Sequence, residues 1–81
     1  MDKLDYALLD IMMNDCKATT KMSAETRKAI VLKFDAKEDA VYRRLKKLME
    51  KGYVENGFTE GNEHTYFITE SGINALNEAL K

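Results

Sequence analysis

Residues 38–55 read Glu-Asp-Ala-Val-Tyr-Arg-Arg-Leu-Lys-Lys-Leu-Met-Glu-Lys-Gly-Tyr-Val-Glu, and the apolar period changes once within them. Up to Lys51, Val41, Leu45 and Leu48 recur at steps of four and three, the spacing of one helix face. Lys51 places a cation in the last turn, and Gly52 supplies a residue that can turn left-handed, so the helix stops there. Beyond Gly52 the period shortens towards two. Residues 53–58 and 64–69 then read as two strands around the polar, acidic tip Thr59-Glu60-Gly61-Asn62-Glu63.

Upstream, Asp35-Ala36-Lys37-Glu38 has the form of a capping box and predicts that this helix begins at Asp35. A shorter helix precedes it, with Ser23 as N-cap and Arg27, Lys28, Ala29, Ile30 and Leu32 in its body. Residues 16–22 show no sustained period and read as a loop. Leu4, Ala7, Leu8, Ile11 and Met12 predict a first helix over residues 3–15, with Asp2 and Asp5 near its positive end. Downstream, Thr69 caps a closing helix carrying Ile73, Leu76 and Leu80. The order is helix, helix, helix, hairpin, helix: a mostly helical α+β chain forming one domain over residues 1–81.

Composition agrees. A chain of 81 residues has room for one core, and 44% hydrophobic with 33% charged residues suits a folded domain. No apolar run approaches the ~20 residues that span a bilayer, and Met1-Asp2-Lys3-Leu4-Asp5 is no secretion signal, so a cytoplasmic protein is expected. The lone Cys16 and lone His64 lack the neighbours of a zinc site and read as ordinary loop and strand residues. No nucleophile and base, paired carboxylates or Gly-rich phosphate loop is present, so neither an enzyme nor a cofactor is expected.

The net charge of -1 argues against a nucleic-acid partner, but its distribution argues for one. Residues 17–51 hold eleven bases against five acids, and the rest of the chain holds two bases against nine. Such a division predicts one positive and one negative surface.

Two helices joined by a short turn, the second running into Gly and a hairpin, is the layout of a winged helix-turn-helix. Residues 40–55 resemble the recognition helix and first wing strand of MarR-type and PadR-type repressors. Phe67-Ile68-Thr69-Glu70-Ser71-Gly72-Ile73-Asn74-Ala75-Leu76 resembles their second wing strand and following helix. The resemblance covers about residues 23–78. It implies a transcription regulator that binds double-stranded DNA, with most contacts from residues flanking Val41.

Helical geometry divides the third helix in the same way. At about 100° per residue, Val41, Leu45, Leu48 and Gly52 share one side, and Asp39, Arg43, Lys46, Lys47 and Glu50 lie on the other. Arg43 suits a guanine edge or a phosphate, Tyr42 a phosphate or a thymine methyl, and Lys46 and Lys47 backbone phosphates. Lys37, Arg27 and Lys28 add candidate phosphate contacts, and Asp39 can accept from a cytosine amino group. The competing reading is a solvated face with Glu50 paired to Lys46 or Lys47. Asp39, Glu60 and Glu63 depart from the repressor pattern and support an alternative function, a winged-helix module that binds another protein. Tyr53, Phe58, Tyr66 and Phe67 read as core or dimer residues rather than a base-stacking platform. The broad apolar side of the first helix, with Leu9, Met12 and Met13, suggests a homodimer through that helix, the closing helix, or both.

Overall fold

The computed structural model describes residues 1–81. Its elements are α1 (Lys3–Asp10), a π-helical segment (Ile11–Asp15), β1 (Glu25–Thr26), α2 (Arg27–Lys33), α3 (Glu38–Glu50), β2 (Val54–Asn56), β3 (Thr65–Ile68) and α4 (Glu70–Ala79). The expected order of helices and hairpin is present. No helix is long and apolar enough to cross a membrane.

Asp2 and Asp5 start α1 with a reciprocal capping box, each carboxylate accepting from the other's backbone N–H. The last turn of the predicted first helix widens to π geometry, where the Cys16 N–H donates to the Ile11 carbonyl. Lys17 then turns left-handed at φ 53°, which frees the Ala18 N–H to reach the Met12 carbonyl. Ala18 is buried, and its carbonyl accepts from the Ile68 N–H, so this loop is fastened to the sheet.

The sheet has a strand the periodicity did not reveal. β1 is two residues long and pairs antiparallel with β3, Glu25 opposite Tyr66, giving the order β1-β3-β2. It takes the place of the first helical turn expected after Ser23. The cap is Thr26, which accepts from the Ala29 N–H, while the Ser23 hydroxyl accepts from the N–H groups of Thr19 and Thr20. A two-residue strand is too short to show a period, so only its pairing reveals it. β2 and β3 form the wing, with Val54 opposite Ile68, and Glu60 bridges Glu63 at its tip.

The Asp35 capping box does not form. α3 starts at Glu38 behind Lys37, and no side chain caps it. Residues 34–36 turn tightly instead, the Ala36 N–H donating to the Phe34 carbonyl, which leaves Phe34 buried in the core. The Glu38 carboxylate faces α2 and accepts from Arg27 rather than from its own helix. The other end of α3 follows expectation. Gly52, at φ 81°, sends its N–H to the Met49 carbonyl, and Tyr53 sends its own to Leu48, a complete Schellman ending.

One cluster holds these pieces together: Leu8, Leu9 and Met12 beside α1, Ile30 and Phe34 from the α2 region, Val41, Leu45 and Leu48 from α3, Val54, Tyr66 and Ile68 from the wing, and Leu76 from α4. All three apolar residues of the α3 stripe are fully buried, so the helix presents its opposite side outward.

Candidate nucleic-acid interface

Because Val41, Leu45 and Leu48 anchor α3, Arg43 and Lys46 stand exposed one turn apart on its outer side. Lys37, ahead of the helix, and Asp39, in its first turn, are exposed as well. None of these four takes part in an ion pair, whereas Arg27, Lys28 and Lys47 each do.

Arg27 opens α2 and reaches across to α3. Its Nε donates to Glu38 Oε1 at 3.0 Å, and its guanidinium carbon lies 4.7 Å from the centroid of the Tyr42 ring. Lys46 Nζ lies 5.5 Å from the same ring. Lys28 Nζ meets Glu63 Oε1 of the wing tip at 3.4 Å, an exposed pair of little energetic weight. Arg27, Lys28 and Tyr42 on one side, with Glu63 and His64 of the wing on the other, line a cleft of about 250 Å3.

Lys47 is separated from this group. Its ammonium sits 2.8 Å from Asp5 Oδ2, and the neighbouring Arg44 Nη1 lies 2.9 Å from Asp5 Oδ1 and 2.9 Å from Asp2 Oδ1. Burial alone raises the Asp5 carboxyl, but hydrogen bonds from Lys47, Arg44 and the Asp2 backbone N–H outweigh it and hold it below its ordinary value. The backbone N–H of Asp5, followed by Arg44, lowers Asp2 in the same direction. Arg44 and Lys47 therefore tie α3 to α1, and the Glu50 pairing to Lys46 or Lys47 is absent. A sequence signal for this tie exists: Asp5 lies at i−3, i−4 and i−7 from Leu8, Leu9 and Met12, an acid within an apolar stripe.

The local acidity of α3 is smaller than its sequence suggests. Arg27 neutralises Glu38, and Lys28 offsets Glu63, which leaves Asp39 as the one unpaired acid in the first turn. Of the four hairpin aromatics, Tyr66 is buried, Tyr53 and Phe67 are half-buried, and Phe58 is 63% exposed, so they form no continuous platform. Cys16 is half-buried, and burial followed by the charge of Glu25 raises its thiol, which makes it a poor nucleophile.

No family model matches the chain. It is 29% identical over 80 residues to the DNA-binding protein TubR of Clostridium botulinum C phage, covering 99% of this chain and 98% of that protein. TubR from Bacillus megaterium pBM400 superposes with a TM-score of 0.84 at 21% identity, over 99% of this chain and 87% of that one. The zinc-responsive MarR family member ZitR of Lactococcus lactis superposes with a TM-score of 0.73 at 18% identity, over 99% of this chain and 51% of that one. The resemblance to MarR-type regulators read from residues 40–55 and 67–76 thus holds in three dimensions. The chain has the winged helix-turn-helix fold that TubR proteins and a MarR-family regulator share.

Proposed function

We propose that this chain is a cytoplasmic, non-enzymatic binder of specific double-stranded DNA sites that regulates transcription, with α3 as its reading helix. The observation that carries the reading is the exposure of Arg43 and Lys46, free of ion pairs, on the outer side of a helix whose other side is locked in the core. Arg43 offers a bidentate fork to guanine or phosphate, and Lys37 and Lys46 offer point charges to the backbone. Asp39 takes the role of acceptor from a cytosine amino group. Arg27 and Lys28 supply further phosphate contacts, while Lys47 serves the α1 tie. The relationship to a DNA-binding TubR along the whole chain supports the same reading.

The protein-interaction alternative draws on three acids, and one of these, Glu63, is engaged by Lys28. Random-sequence duplex in a gel shift at low salt separates the two readings. Retarded duplex whose complex dissolves as salt rises is the expected result, and unshifted duplex overturns the DNA reading.

Leu4 on α1 and Leu80 at the end of α4 are 52% and 70% exposed on two helices that pack together, which supports a homodimer through this face. Sedimentation of the Leu4→Glu/Leu80→Glu variant tests it. A dimeric wild type with a monomeric variant is expected, and an unchanged mass refutes this interface.

A further inference from the structure

We propose that Tyr42 is a positioning residue whose ring face, not its hydroxyl, sets Arg27 and Lys46 for the duplex backbone. The inference rests on the DNA-binding reading above and concerns how two cations from different helices are held at one site.

Glu38 and Tyr42 are four residues apart on α3 and so lie one above the other. Arg27 comes from α2 and lies against both. Glu38 takes only its Nε, at 3.0 Å, while the Tyr42 ring lies 4.7 Å from the guanidinium carbon. Two contacts of different kinds hold the group against α3. Neither Nη atom of Arg27 is used in a hydrogen bond within the protein, so the forked end of the group is left for a phosphate.

Lys46 is four residues beyond Tyr42, and its Nζ is 5.5 Å from the same ring centroid. The ring quadrupole attracts both cations and offsets their mutual repulsion, which a wholly aliphatic side chain at this position does not do. The Tyr42 hydroxyl makes no hydrogen bond, and the residue is 37% exposed, so its packing leaves it replaceable without loss of the core. Arg27 and Tyr42 also line the cleft that faces the wing, where a backbone passing between helix and hairpin meets them together.

Three variants test this: Tyr42→Phe keeps the ring, Tyr42→Leu keeps bulk without the quadrupole, and Tyr42→Ala removes both. Duplex affinity across a salt series is the first readout. The second is the ring-current shift of the Arg27 and Lys46 side-chain protons in the free protein. Tyr42→Phe should bind within about twofold of wild type and keep the shifts. Tyr42→Leu and Tyr42→Ala should lose the shifts and bind about five- to tenfold more weakly, with a salt slope shallower by about one phosphate contact. A Phe variant as weak as the Ala variant overturns the inference and assigns the role to the hydroxyl. A Leu variant that binds like wild type also overturns it. If wild-type protein binds no duplex, the DNA-binding reading itself fails and takes this inference with it.

Discussion

Lys47 Nζ lies 2.8 Å from Oδ2 of Asp5, a carboxylate with no exposed surface. Together with the bond from Arg44 to Asp5 Oδ1, this makes Asp5 the buried member of an acidic pair, with Asp2, that fastens α3 to the start of α1. Two cations and the Asp2 N–H of the capping box meet on that carboxylate, so the chain uses it for architecture.

Asp5→Asn should cost about 2 kcal/mol of unfolding free energy at neutral pH, since it removes the counter-charge of Lys47 and leaves Arg44 paired with Asp2 alone. The folded-state value of Asp5 is depressed from 3.8, so its contribution is complete above that value and is lost as pH falls through the lower folded one. Denaturant titrations at several pH values check this. The gap between wild type and variant should be constant from neutral pH down to the ordinary carboxylate range and narrow below it.

Thr69 joins the wing to α4 with one hydroxyl, which donates to the Gly52 carbonyl at 2.6 Å and accepts from the Gly72 N–H at 3.1 Å. Thr69→Ala should lower stability by about 1–2 kcal/mol, and Thr69→Ser should recover most of it. Equal losses in the two variants, measured by thermal unfolding, would show that the methyl rather than the hydroxyl matters.

Gly72 is required by space. A Cβ there would fall on the Tyr53 carbonyl oxygen and within 2.7 Å of Ile68 Cγ1, and backbone cannot yield as a flexible side chain can. Gly72→Ala should therefore destabilise by about 1–3 kcal/mol, although alanine favours helix elsewhere. Melting of the purified variant decides it, and an unchanged or raised midpoint contradicts the close approach.

The features legible in the sequence are those that one helix or one turn determines. The α3 stripe, the Gly52 stop, the Thr69 cap and the hairpin each depend on neighbours a few residues away, and each stands where the residues indicate. The features that escaped depend on contacts between distant segments. β1 exists because β3 pairs with it, Glu38 turns from its own cap because Arg27 approaches from α2, and Lys47 leaves the outer face because Asp5 lies beside it. On the wheel of α3, Arg44 and Lys47 lie on one flank and Tyr42 and Lys46 on the other, and the flank that α1 covers follows only from packing.

The salt dependence of duplex affinity, measured for wild type, Arg43→Ala/Lys46→Ala and Lys47→Ala, tests most directly whether the outer side of α3 meets the duplex. With about three to five phosphate contacts, wild type should give a log–log slope of about −2.7 to −4.5 per site. The double variant should bind at least about tenfold more weakly with a slope shallower by about 1.8, while Lys47→Ala stays within about threefold of wild type. A double variant that keeps wild-type affinity and slope would contradict the claim that the outer side of α3 meets the duplex.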